Sequence, residues 1–310
     1  MLLEHALPLV VLGSVVLSAV FSILIRWVAN RTAIVDEPTG GRKIHEKRTA
    51  LLGGVATGLT IITGLAFLTY FVRGDDLNHV QVIGFIIAIM VLLIGGILDD
   101  AFDLPPWLQI LSPIIASIVI VLSGSGIIQV TDPLNPGAIS LVWNQWEVLG
   151  LTLSWPSDLL TIIWLLVVTY AMKFLDGIDG LVTGLTIIGA LLIASLAGSD
   201  AYFQPVIAMM ALIVAGAHLG FLPFNKTGSI FLGESGSVIA GFSLGVLAII
   251  SGAKVAIASA ALAVPLVDIV IVVIGRLVRG QSPFKGDRTH LHHRLLQAGL
   301  SRRGAVRLIW

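Results

Sequence analysis

Nine apolar segments, each about as long as a bilayer is thick, dominate this 310-residue chain. They run over residues 7–27, 51–72, 80–98, 107–123, 158–175, 181–198, 203–221, 235–251 and 255–275. Lipid offers no partner to a backbone N–H or C=O, so each segment is expected to be a helix. The predicted fold class is therefore an all-α polytopic membrane protein with about 9–10 transmembrane helices. Composition agrees. Only 12% of residues are charged and 56% are hydrophobic, whereas soluble proteins carry about 25% charged residues.

The first segment lacks a basic start and a small-residue cleavage site, so it reads as a retained helix rather than a signal peptide. Without cysteine, neither a disulfide framework nor a thiolate metal site is available. No internal repeat or soluble insertion is visible. Residues 1–310 are thus expected to form a single integral-membrane domain. Val306 to Trp310 would open a tenth span, so the expectation is a chain truncated in its last transmembrane helix.

Alternating nine spans sorts the connecting segments into two sets. One set comprises 30–50, 99–106, 176–180, 222–234 and 276–303. With the helix ends that face it (Arg26, Lys173, Arg307), it holds 16 of the 18 Lys and Arg residues. The positive-inside rule makes this side cytoplasmic and the amino terminus external. On the other side, the stretch from Gly124 to Ser157 is rich in Pro, Gly, Trp and Asn, the composition of a small hairpin.

Aspartates stand at the cytoplasmic ends of two spans. Acids at membrane depth cost at least a few kcal/mol each and are usually functional. Asp99, Asp100 and Asp103 close one span. In a continuing helix, Asp99 and Asp103 share a face. Adjacent carboxylates repel unless a cation lies between them, which suits Mg²⁺ or a carboxylate base. The alternative is a solvated acidic helix end.

Asp176-Gly177-Ile178-Asp179-Gly180 closes another span, with glycines that let a ligand approach the backbone. The alternative is an ordinary turn. Glu234, in Phe231-Leu232-Gly233-Glu234-Ser235-Gly236-Ser237, begins a span. It either binds metal or caps the helix.

Two basic segments complete this face. Residues 36–45, with Lys43 and His45 among them and Leu52-Gly53-Gly54 following, combine cations with a flexible backbone suited to phosphate. The alternative role is setting topology and touching anionic lipid. Asp287-Arg288-Thr289-His290-Leu291-His292-His293-Arg294 places His290 and His293 on one helical face and suggests a phosphate clamp, or else a surface amphipathic segment. Asp268, inside the last span, is expected to make a contact between helices or to support Arg276. No GxxxxGK[ST] or GxGxxG loop is present, so a nucleotide is not held by a P-loop or a Rossmann unit.

In order and spacing these segments resemble the polyprenyl-phosphate N-acetylhexosamine-1-phosphate transferases, glycosyltransferase family 4. The resemblance covers about Asp36 to Arg307 and rests on LDDxxD, FLDGIDGL, FLGESGS and DRTHLHHRLLQAGLSRR together. It implies a plasma (inner) membrane enzyme, multi-pass, with its active site facing the cytoplasm. Its reaction moves a sugar-1-phosphate from a UDP-N-acetylhexosamine to a polyprenyl phosphate and releases UMP. The cofactor is Mg²⁺, with Mn²⁺ as substitute. This is the first membrane step of cell-envelope polysaccharide synthesis and involves no nucleic acid.

The HLHHRLL-x-x-GLS pattern is closer to the UDP-GlcNAc-using branch than to the MurNAc-pentapeptide branch. By the same resemblance Asp99, Asp100, Asp176 and Asp179 are catalytic. Glu234, Asp99 and Asp100 hold the metal. Lys43, His45, Asp103, Lys173, Arg288, His290, His292 and His293 bind substrate. The small-residue patch from Gly241 to Gly245 suits helix packing or a homodimer.

Three departures from the family pattern stand out. Lys173 and Tyr170 replace two asparagines before Asp176, Leu232-Gly233-Glu234 replaces Met-Gly-Asp, and a proline before Gly53-Gly54 is missing. Glu234 would still bind Mg²⁺ on a longer arm. Lys173 would replace a polar contact or fill part of the metal's electrostatic role. Other readings are a catalytically weak homologue that binds lipid phosphate, and a cation-coupled transporter. The transporter reading needs acids near the midplane rather than at one face.

Overall fold

The computed structural model describes residues 2–32, 34–36, 48–72, 77–132, 137–148, 150–252, 262–281 and 289–310. Among these residues, eight of the nine apolar segments are helical, and the ninth is helical where it is described. Six helices are long and apolar enough to cross a membrane: α1 (Leu2–Thr32), α2 (Gly53–Phe71), α3 (His79–Phe102), α6 (Ser157–Leu175), α8 (Pro205–Lys226) and α9 (Gly233–Ile250). α7 (Leu181–Ala197) and α10 (Ala263–Val278) are shorter.

The fourth segment is broken into α4 (Pro106–Gln109) and α5 (Leu111–Leu122). Pro113 explains the break. It has no N–H to give the carbonyl of Gln109, four residues earlier, and its ring crowds that carbonyl.

α9 is the central helix, packed by α2, α3, α5, α6, α7 and α8. Small residues allow this. A methyl group at Gly241 would lie 2.8 Å from the Thr169 Cα and the Val168 carbonyl, both on α6. The Trp164 indole donates to the Gly245 carbonyl at 3.3 Å. The Gly241–Gly245 patch therefore packs helices within one chain. Around this core the outward faces are apolar. Leu9, Leu12, Val16, Ile94, Val270 and Ile274 are all exposed, as lipid-facing residues should be.

The Gly124–Ser157 stretch holds two hairpins rather than one. They are β3 (Gln129–Thr131) with β4 (Ala138–Ser140), and β5 (Val142–Val148) with β6 (Leu151–Pro156). In the second, Asn144 pairs with Trp155 and Trp146 with Leu153, while Gln145 pairs with Ser154 and Glu147 with Thr152. One face is thus largely apolar and the other polar. Trp146 and Trp155 stay exposed next to the start of α6, as tryptophans at a bilayer surface do.

At the opposite end β1 (Val35–Asp36) pairs with β2 (Thr49–Ala50). α11 (Leu291–Gln297) and α12 (Arg302–Ile309) follow. Val306 to Trp310, expected at the start of a tenth span, instead belong to α12 and its end. α12 buries Ala305, Val306 and Ile309, and the Trp310 indole donates to the Leu181 carbonyl at 3.2 Å.

Candidate active site

The site grows from a crossing of three backbones. Gly53 and Gly54 donate to the carbonyls of Phe231 and Leu232 at 3.0 and 2.7 Å. A methyl group at Gly54 would lie 2.1 Å from the Gly236 nitrogen, and one at Gly96 would lie 2.3 Å from the Ser235 Cα. Only glycine lets α2 and α3 approach the start of α9 this closely.

That crossing aims the end of α3 at the first turn of α9. Asp100 accepts from the Glu234 N–H through Oδ1 at 2.9 Å and from the Ser235 hydroxyl through Oδ2 at 3.3 Å. A carboxylate satisfying free N–H groups at a helix start is favourable. Gly233, at φ 75°, makes the turn, and a methyl group there would sit 2.9 Å from Asp100 Oδ2. Asp100 therefore positions Glu234.

Asp100→Asn should preserve this arrangement, because an amide can accept from Glu234 and donate to Ser235. Its loss of turnover then reports charge. We expect a fall of at least about tenfold with an unchanged melting temperature. Asp100→Ala should also destabilise by roughly 1–3 kcal/mol, the cost of unmet buried donors. Turnover and thermal unfolding of the two purified variants provide the check.

Asp99 is held differently. Its Oδ1 accepts from the Leu104 N–H at 2.9 Å and from the Gln109 amide at 3.1 Å. Asp103 does not continue its face. α3 ends at Phe102, and Asp103 is an exposed left-handed cap at φ 50° whose N–H donates to the Asp99 carbonyl. Pro105 disfavours a helical conformation at Leu104, which stops the helix.

Lys173 joins the two carboxylate groups. Its Nζ lies 2.7 Å from Glu234 Oε2 and 4.0 Å from Asp99 Oδ2. It also donates to Gln109 Oε1 at 2.8 Å.

Asp176 and Asp179 follow α6 in a loop tied to α8. The Asn225 side-chain oxygen accepts from the Gly180 N–H at 2.8 Å and from the Thr183 hydroxyl at 2.9 Å. The Asp176 carboxyl is raised well above its ordinary range by burial, and further by the charges of Glu234, Asp179 and Asp100. The four carboxylates thus share one electrostatic neighbourhood, and each favours a cation among them.

The histidines close the site from a third side. His292 is buried against Gly177, where a methyl group would sit 2.1 Å from its Nε2. Neither His292 ring nitrogen has a hydrogen-bond partner among the described residues. His290 does not share a helical face with His293, because it precedes α11 in extended conformation. The observed ring neighbours are His290 with His292 at 6.2 Å and His292 with His293 at 4.1 Å.

Asp268, on α10, makes the expected contact between helices, at the start of α11. Its Oδ2 pairs with His290 Nδ1 and its Oδ1 accepts from the Leu291 N–H, each at 2.8 Å. Lys43, His45 and Arg288 lie outside the described residues.

Burial, with help from its neighbouring histidines, lowers the His292 ring to about 4. In an unfolded chain it titrates near about 6.5. The folded state therefore binds fewer protons between these values. Its contribution, at most about 3 kcal/mol, is present above pH 6.5 and lost as pH falls toward 4. Hydrogen exchange in α11, corrected for intrinsic rates, should accelerate across that window, and His292→Leu should remove the dependence. Protection of α11 that ignores pH in the unaltered protein would refute this.

The reading of the residues missed Gln109 and Asn225. Each is a polar residue at the end of an apolar segment, on the side that carries the aspartates. That placement was the available signal.

Apolar helices thus carry a converged set of carboxylates, a lysine and buried histidines at one end. Residues 82–252 match the model of glycosyl transferase family 4, and the chain belongs to that family. It is 29% identical to the probable undecaprenyl-phosphate N-acetylglucosaminyl 1-phosphate transferase of Bacillus subtilis (strain 168), over 100% of this chain and 83% of the relative. It is 31% identical to the decaprenyl-phosphate N-acetylglucosaminephosphotransferase of Mycolicibacterium smegmatis, over 92% and 74%. It is 27% identical to the undecaprenyl-phosphate alpha-N-acetylglucosaminyl 1-phosphate transferase of Escherichia coli (strain K12), over 94% and 77%.

Proposed function

We propose that this protein transfers GlcNAc-1-phosphate from UDP-GlcNAc to a polyprenyl phosphate on the cytoplasmic side of the plasma membrane. The observation that carries the reading is the convergence of Asp99, Asp100, Asp176 and Glu234 with Lys173 and His292 at one end of lipid-facing helices. Relatives named for this transfer, to undecaprenyl or decaprenyl phosphate, support it.

In the reaction an oxygen of the lipid phosphate attacks the β-phosphorus of the donor. The bond from that phosphorus to the oxygen bridging the two phosphates breaks, and UMP leaves with the electron pair. Both reactants are anions, so the main task is to neutralise charge and align them. Lys173 faces the donor diphosphate as a mobile point charge. Asp99, fixed by Leu104 and Gln109, orients the lipid phosphate. Asp176 and Asp179 frame the nucleotide. His292, neutral because its ring is lowered to about 4 and without a hydrogen-bond partner among the described residues, offers a single N–H to phosphate oxygen.

The donor set also fits Mg²⁺. No closed cage of three His, Asp or Glu side chains exists among the described residues. Mg²⁺ commonly takes one or two carboxylates and completes its shell with water and substrate phosphate. Glu234, positioned by Asp100, and Asp99 would hold it or Mn²⁺, and the ion when bound would supply charge neutralisation at the diphosphate.

Mass spectrometry of the lipid product tests the chemistry. Transfer of sugar-1-phosphate yields a polyprenyl diphosphate GlcNAc. A polyprenyl monophosphate GlcNAc would mean transfer of the sugar alone with loss of UDP, and would overturn the reading.

A further inference from the structure

The point between the carboxylate from α3 and the one from α9 already has an occupant. The Lys173 ammonium lies 2.7 Å from Glu234 Oε2 and 4.0 Å from Asp99 Oδ2, with the neutral Gln109 holding it from a third direction at 2.8 Å. Its side chain is 11% exposed, whereas that of Glu234 is 40% exposed. The cation is therefore sheltered, and Glu234 Oε2, the oxygen it meets, is buried with it, while other atoms of the Glu234 side chain reach the surface. An ammonium and a divalent ion cannot both sit on Glu234 Oε2, because they repel at that spacing and compete for the same lone pairs. Lysine carries its charge on a flexible four-carbon stem and can exchange one anionic partner for another.

We propose that Lys173 is a resident counter-cation that gates the metal position. In the free protein it holds Glu234. A nucleoside diphosphate gives it a second anion, and Glu234 is then released to bind a divalent ion. Metal and donor nucleotide consequently bind with positive coupling, and the coupling is reciprocal. The inference rests on the donor class given under Proposed function. It also joins residues from two of the three departures from the family pattern, Lys173 and Glu234, into one interacting pair.

Mn²⁺ binding, followed by the electron paramagnetic resonance of the free ion, tests this without turnover. The purified protein should bind Mn²⁺ weakly, and UDP, after correction for Mn²⁺–UDP in solution, should tighten binding by about tenfold, within the usual range of coupling. Lys173→Met keeps the apolar stem and removes the charge. It should bind Mn²⁺ about tenfold tighter without nucleotide, and its coupling should fall toward one. Lys173→Arg should resemble the unaltered protein.

Folding of each variant is checked by size exclusion and circular dichroism. If Lys173→Met leaves nucleotide-free Mn²⁺ affinity unchanged, the proposal is overturned. The variant comparison needs no nucleotide, so it separates this inference from the donor reading. Failure of UDP to bind at any Mn²⁺ concentration would overturn the donor reading and the gating step with it. Tighter Mn²⁺ binding by Lys173→Met would still identify Lys173 as the resident cation.

Discussion

Gly54→Ala should lose at least about a hundredfold in turnover and unfold several degrees lower. The new methyl group would overlap the Gly236 nitrogen at 2.1 Å and the Gly236 Cα at 2.4 Å. These are backbone atoms and cannot rotate away. α2 must therefore shift from α9, which breaks the bonds from Gly53 and Gly54 to Phe231 and Leu232. The same turn sets Glu234 on Asp100. Overpacking of this kind costs about 1–3 kcal/mol, and each kcal/mol lowers the melting point of a 310-residue chain by about 2 °C. The activity loss should exceed the stability loss, because a misplacement of about 1 Å near reacting groups can cost a hundredfold. Thermal unfolding and turnover of purified Gly54→Ala, with Gly58→Ala as a comparison on the same helix, provide the test. At Gly58 the three atoms nearest the methyl all belong to the Leu93 side chain, which can turn away, at 2.8–3.0 Å. Equal effects at both positions would contradict the account.

Asp176→Asn should retain the fold and lose at least about a hundredfold in turnover. Its carboxyl is held well above its ordinary range by burial and by Glu234, Asp179 and Asp100, so the free protein gains nothing from that charge. An uncharged amide should leave the melting temperature the same or higher. The carboxylate becomes useful only when a cation and the donor enter, which is when its loss should be felt. A decisive pattern is unchanged or raised stability with a collapsed turnover. Loss of both in parallel would place Asp176 in the fold rather than in the chemistry.

The helical architecture was legible because lipid forces it. An apolar stretch of about twenty residues has one way to satisfy its backbone. The aspartates at the ends of α3 and α6 were legible as a site because so few reasons exist to put charge there. Finer geometry was partly readable and partly not. Pro105 after Leu104 marks the end of α3 and thereby separates Asp103 from Asp99. Pro113 marks the break that turns Gln109 toward Lys173. Those two signals are local. The Asp268–His290 pair spans 22 residues and the Asp100–Glu234 contact spans 134. No local rule pairs such residues. Lys173 and Glu234 were visible only as two separate departures, and three-dimensional packing made them partners.

Release of UMP by the purified protein, supplied with Mg²⁺, undecaprenyl phosphate and UDP-GlcNAc, tests the central claim most directly. UDP-MurNAc-pentapeptide serves as the parallel donor. UMP is expected from UDP-GlcNAc, with its release requiring both the lipid phosphate and Mg²⁺. UMP from the pentapeptide donor alone, or no UMP from either donor with folded protein, would contradict it.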